Sequence, residues 1–207
     1  MTITPAPDHH HHELDLEAAL EFLNTRELES GQLVDRLVAP AHASAWFVDQ
    51  GVVHPTDVLD WADDELARVR AVRDALREVV DAVVEDRAPD AGSLDLVNEA
   101  LASGSVPRLE IEGSTVWVGH RHGARSVDAA LAALAEPIVL ELESGRPDRF
   151  RTCANDTCRW AFYDTSPTGR RRWCDMKTCG NRAKAARHRQ RARAETPPSG
   201  PPAPTRG

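Results

Sequence analysis

Apolar positions recur at helical spacing through most of the chain. Leu16, Leu20, Leu23 and Leu28 in LDLEAALEFLNTREL predict a first amphipathic helix. A second covers Ala41 to Gln50, with Trp46 and Phe47 as core anchors and Gly51 as its stop. His54-Pro55-Thr56-Asp57 reads as a turn and cap. Beyond it Leu59, Ala62, Leu66, Val69, Val72, Leu76, Val79, Val80 and Val83 form the longest apolar stripe of the chain, broken by Pro89 and Gly92. Ser93 opens a further helix through Leu96, Val97 and Leu101, ending near Gly104. The period then changes. Leu109 and Ile111, then Val116 and Val118, alternate around Gly113-Ser114 and predict a β-hairpin. A last helix of this part runs from Ser126 through Leu131, Leu134, Ile138 and Leu142, with Pro137 expected to kink or divide it. The class is α+β and mostly α. The expected organisation is a flexible tail at 1–12, a helical domain at 13–146 with one small hairpin, a finger at 149–194, and a disordered Pro-rich tail at 195–207. Gly145-Arg146-Pro147 would be the linker.

Charge divides the chain at the same place. Residues 151–193 carry twelve Lys/Arg against three Asp, a surplus of +9. The remainder carries 13 basic and 30 acidic residues, so the overall −8 conceals an acidic body of −17 joined to a basic end. That asymmetry points to a nucleic-acid contact confined to the basic end. No apolar run reaches the roughly 18 residues that a membrane span needs, and the first residues lack a signal-peptide pattern, so a cytoplasmic location is expected. The His9–His12 run reads as a solvated tail, with metal binding the lesser reading.

All four cysteines lie between residues 153 and 179, in the pattern Cys-x4-Cys-x15-Cys-x4-Cys. Two short pairs can each wrap two thiolates onto one tetrahedral zinc ion, with the fifteen intervening residues forming a connecting hairpin. Strands are expected at Arg159–Tyr163 and Arg171–Cys174. Disulfides fit a reducing compartment poorly, a redox pair would favour Cys-x-x-Cys, and an iron–sulfur cluster remains open with the same donors. One structural zinc held by Cys153, Cys158, Cys174 and Cys179 is the favoured reading, in a treble-clef or zinc-ribbon-like finger. Four thiolates leave no position for a catalytic water, so the metal would fold the finger.

The cations near this site are the candidate nucleic-acid contacts: Arg170, Arg171, Arg172, Lys177, Arg182, Lys184, Arg187, Arg189 and Arg191. The segment after Cys179 predicts a helix with cations on nearly opposite faces, separated mostly by alanine, and without acidic partners. Phosphate contact therefore outweighs a merely solvated helix. Trp160, Phe162, Tyr163 and Trp173 read as the finger's core before they read as base-stacking surfaces. Asn181 reads as a helix cap before it reads as an adenine contact.

The string CANDTCRWAFYDTSPTGRRRWCDMKTCGNRAKAARHR resembles the CGNR zinc finger, named for the tetrapeptide that stands here as Cys179-Gly180-Asn181-Arg182. In that family the finger follows an ABATE domain, and Leu20 to Arg26 resembles the opening motif of that domain. The resemblance implies a stress-induced transcription regulator that binds DNA and is not an enzyme. Asn24, Thr25 and Arg26, beside the apolar Leu23, are the candidate contacts for a small-molecule effector. An RNA-binding accessory protein and an enzyme acting on a small molecule held by the N-terminal domain are the rival classes. The sequence carries no nucleotide loop, nucleophile elbow or catalytic metal motif.

Overall fold

The computed structural model describes residues 16–29, 31–53, 61–104, 106–112, 115–121, 127–143 and 146–195. The 1–12 tail with its histidines, the His54–Asp57 turn, the Gly113-Ser114 turn, Gly145 of the expected linker and residues 196–207 lie outside them.

Helix α1 (Leu16–Asn24) buries Ala19, Leu20, Phe22 and Leu23. It stops well short of Leu28. Strands β1 (Arg26–Glu29) and β2 (Gln32–Asp35) pair antiparallel, Leu28 against Leu33, so a hairpin stands where the Leu16–Leu28 spacing predicted continued helix. Gly31, at φ +85°, supplies the left-handed residue that this tight reversal needs. Helix α2 (Pro40–Asp49) presents Phe47 to Phe22 and Trp61, ring centroids 5.9 and 4.8 Å away in edge-on contacts.

Helix α3 (Asp63–Val84) is the long central helix. Leu66, Val69, Val72, Leu76, Val79 and Val80 on its inner stripe are buried, as their spacing requires. Its start is held by Glu65, which accepts from the Ala62 N–H at 2.8 Å. Helix α4 (Ala91–Leu101) begins two residues before Ser93. Asp90 is its cap and accepts from the Ser93 N–H at 2.9 Å. Strands β3 (Val106–Glu112) and β4 (Thr115–Arg121) form the expected hairpin, in the register Leu109 to Val118 and Ile111 to Val116. Helix α5 (Val127–Glu143) runs on through Pro137 instead of dividing there. Val127, Leu131, Leu134 and Ile138 on the same helix are buried, and that packing holds it continuous despite the lost N–H.

A single-turn 3-10 segment, Pro147–Arg149, leads into β5 (Phe150–Thr152), which pairs antiparallel with β6 (Ala161–Tyr163). The partner of β6 therefore precedes the first cysteine. Arg171–Cys174 forms no strand among the described residues, because its backbone is bonded elsewhere: the Arg171 N–H donates to Asp164 and the Arg172 carbonyl accepts from Ala154. A wide π-type turn, Met176–Gly180, opens into α6 (Asn181–Glu195). Among the described residues the fold is thus six helices with small antiparallel hairpins and a cysteine cluster before the last helix.

Composition put a boundary near residues 146–149, yet one hydrophobic cluster crosses it. Phe150 and Ala161 are buried in the same core as Phe22, Leu76 and Leu134, and Tyr163 packs against it. The first hairpin of the finger is therefore seated on α1 and α3. A second, small cluster gathers Phe162 and the four cysteines, with Trp160 and Trp173 against them. These aromatics lie inward, as the core reading expected.

Candidate metal centre and nucleic-acid interface

The Sγ atoms of Cys153, Cys158, Cys174 and Cys179 all lie within 4.8 Å of one another. Cys158 and Cys174 are 3.6 Å apart, and Cys174 and Cys179 are 3.8 Å apart. A zinc ion with Zn–S bonds of about 2.3 Å sets tetrahedral edges of about 3.8 Å. The four sulfurs are gathered closely enough to share one such ion. Burial pushes the Cys158 thiol up to about 11 and raises Cys174 as well. Burial acts the same way on Cys179, but the Asn155 amide, donating to its Sγ at 3.4 Å, and the neighbouring thiols hold it below the ordinary value. Thiols kept neutral by burial become thiolates only against a cation, and a single dication supplies that. One structural zinc belongs here, with no open position for substrate.

Local sequence builds each knuckle. In the first, Asn155 accepts from the Thr157 N–H, and its carbonyl takes the Cys158 and Arg159 N–H groups at 2.8 and 3.1 Å. Arg159 is forced to φ +59° to close the turn, a left-handed conformation that favours glycine. In the second, Asp175 caps the π-type turn by accepting from the Thr178 N–H at 2.7 Å, and Cys179 falls at its end. Asn181 donates its side-chain amide to the Lys177 carbonyl at 3.0 Å, so it ties the start of α6 back to the turn and does not accept from a helix N–H as the expected cap would.

The candidate phosphate contacts separate into two kinds. Arg170, Arg172, Lys177, Arg182, Lys184, Arg187, Arg189 and Arg191 are exposed, with the Arg172 guanidinium resting over the Trp173 ring. None of them forms an ion pair with another described residue. Arg171 differs. Its guanidinium donates to the Trp173 carbonyl at 2.8 Å and to the Cys174 carbonyl, and it sits 4.9 Å over the Phe162 ring. Arg171 is turned inward to brace the second knuckle, whereas the other eight cations face solvent.

Asn24, Thr25 and Arg26 are each engaged within the fold. Asn24 is 4% exposed; its amide donates to the Ala161 carbonyl at 3.0 Å and its Oδ1 accepts from the Ala161 N–H at 2.9 Å. It completes the edge of β6 as another strand would. Thr25 donates to the Phe22 carbonyl at 2.7 Å and lies against Arg73. Arg26 pairs with Asp74 at 2.7 Å. Asn24 thus holds the finger onto the helical part, while Thr25 ties the end of α1 to α3. Asn24→Ala should lower stability by about 2–4 kcal/mol, since both Ala161 backbone groups would lose buried partners at roughly 1–3 kcal/mol each. Urea denaturation checks this; a loss below about 1 kcal/mol would mean that water replaces the amide.

Several contacts of this junction carried no sequence signal. Trp160 donates its indole N–H to Glu27 at 2.5 Å, Arg77 donates to the Arg159 carbonyl at 2.6 Å, and Thr152 donates to Asp81 at 3.0 Å. Each bond joins positions more than 70 residues apart. The Asp164 turn could have been found: Asp-Thr-Ser is a local capping pattern, and buried Asp164 accepts from the Ser166 and Arg171 N–H groups. Between the β1–β2 hairpin, α3 and the first knuckle lies an open cleft of about 210 Å³, lined among others by Arg26, Asp74, Arg77 and Cys158. Among the described residues, no helix is long and apolar enough to cross a membrane.

No curated protein matches the chain significantly. Two family models match it in order: the CGNR zinc finger over residues 149–192, and, over residues 16–145, ABATE, described as a "putative stress-induced transcription regulator". The second spans more than half of the chain, and the cysteine geometry agrees with the first. The chain belongs to the ABATE family and carries a CGNR zinc finger after that domain.

Proposed function

We propose that this protein is a zinc-dependent transcription regulator that contacts duplex DNA through α6 and the second knuckle. The carrying observation is the surface of α6. Arg182, Lys184, Arg187, Arg189 and Arg191 are all exposed, no acidic residue pairs with them among the described residues, and the zinc knuckle anchors the helix at its start. A helix so charged gains nothing from the core and is held together against its own repulsion. Phosphate is the partner that fits. Phe162 is buried and Trp160 and Trp173 are half-buried against the cysteines, which leaves less stacking surface for an RNA reading. A zinc saturated by four thiolates argues against a catalytic metal, and a regulatory role agrees with the ABATE family description. The small-molecule effector we place in the cleft beside Cys158, where Arg26 rather than Asn24 or Thr25 faces the opening.

Anisotropy titrations of the full chain against salt test the reading. Replacing Arg187 and Arg191 together by Ala should make the log–log slope shallower by about two, at about 0.9 per lost phosphate contact, and weaken binding to all sequences alike. Arg171→Ala should instead reduce zinc retention, because it unties the Trp173 and Cys174 carbonyls. Equal affinity and slope for the double variant and the parent would remove α6 as the contact surface.

A further inference from the structure

The cations of α6 are not gathered on one side, as a helix resting on a charged surface would have them. At about 100° per residue, Arg182 and Arg189 lie one above the other, seven positions apart. Lys184, Arg187 and Arg191, at spacings of three and four, lie about half a turn round the helix. Ala183 and Ala186, the half-buried positions of the described helix, mark its inner side. Diametrically outward from them, between the two cationic stripes, stand exposed His188 and Ala185.

Building on the DNA-binding reading above, we infer that α6 lies within the major groove, with its two stripes reaching the phosphates of opposite strands and His188 reading a guanine edge. A ligand that neutralises cations on opposite flanks of one helix must present negative charge on both sides of it. The B-DNA major groove does so: it is about 12 Å wide and admits one helix of about 10–12 Å diameter between two phosphate rows. The major groove of A-form RNA is too deep and narrow to take one. On the groove floor an imidazole N–H donates to the N7 or O6 acceptor of guanine. Ala185 beside it is small enough for the helix backbone to approach the bases. Asn181 shares the outward side, but its amide is held by the Lys177 carbonyl. His188 is the polar side chain left to read sequence there.

The test uses the full-length, zinc-loaded chain and a randomised duplex library. Selection should enrich one motif containing a guanine. Between the enriched duplex and its scrambled version, His188→Ala should reduce the affinity ratio about tenfold or more, with scrambled-duplex affinity and salt slope unchanged. The pairs Arg182→Ala/Arg189→Ala and Arg187→Ala/Arg191→Ala should each lower the slope by about two. Zinc content and helical circular dichroism, unchanged in all three variants, keep folding out of the comparison. Three results would overturn the inference while leaving DNA binding in place: one arginine pair silent in the slope, no motif enriched, or an unchanged preference in the His188 variant. Tighter binding to structured RNA than to duplex would overturn it too, and binding to no nucleic acid would remove the functional reading beneath it.

Discussion

Removing the zinc should destabilise the whole chain, α1 and α3 included, and not the finger alone. In small metal-stapled units the binding energy of the ion is folding energy, on the order of 10–16 kcal/mol at neutral pH. A domain's entire stability is about 5–15 kcal/mol. What decides how far the loss spreads is the junction. Phe150 and Ala161 lie in the main core, Asn24 bonds both backbone groups of Ala161, and Trp160, two residues from Cys158, donates to Glu27. The Cys153 N–H itself donates to the Trp160 carbonyl at 2.8 Å, so the first knuckle and β6 share their backbone bonding. Chelation, or Cys174→Ser, should therefore lower the Tm of the far-ultraviolet helical signal by more than about 10 °C and leave one transition. Metal content measured beside the melt checks the cause. A helical signal that melts at the parent temperature after full chelation would show that the core contacts do not carry the coupling.

That outcome could not have been read from composition, and the reason is physical. A charge change and a Gly-Arg-Pro sequence mark where the chain changes character, not where its packing stops. The cysteine set was legible because metal ligands are encoded in local spacing: each pair encloses four residues, and the turn chemistry of Asn155 and Asp175 lies between its members. Helices α3, α4 and α5 were legible because an amphipathic stripe is periodic. The β1–β2 hairpin was not, since Leu28 continued an apolar series and Gly31 alone marked the reversal. Arg171 shows the limit most clearly. Within the run Arg170-Arg171-Arg172 the three side chains are chemically alike, and only the turn set by Asp164 sends the middle one to the Trp173 and Cys174 carbonyls. The cations of α6 up to Arg191 stay exposed, as their pattern predicted, because nothing in the described fold redirects them.

Arg73→Leu should be the most damaging single change away from the metal, at about 3–5 kcal/mol. Arg73 reads in sequence as one of several arginines on α3, yet its side chain is 1% exposed. It donates to both oxygens of Asp35 at 2.8 Å each, to Asp74 at 3.0 Å, and toward the Thr25 hydroxyl at 3.3 Å. The pairing joins β2 to α3 across 38 residues and fixes the hairpin that borders the cleft. Leucine fills part of the space but leaves the half-buried Asp35 without its bidentate partner, with only the Leu37 N–H and the more distant Arg70 beside it. Burial pushes the Asp35 carboxyl up, but the Arg73 hydrogen bonds and charge outweigh it and hold the group below the usual carboxylate range. A carboxylate depressed on folding adds stability above its unfolded value, about pH 4, and that stability fades as pH falls through the folded value. Urea midpoints of parent and Arg73→Leu should therefore differ most near neutral pH and converge in acid. The double variant Arg73→Leu/Asp35→Leu, which removes both charges, should recover a large share of the loss. If it is no more stable than Arg73→Leu alone, the damage comes from packing and not from the stranded carboxylate.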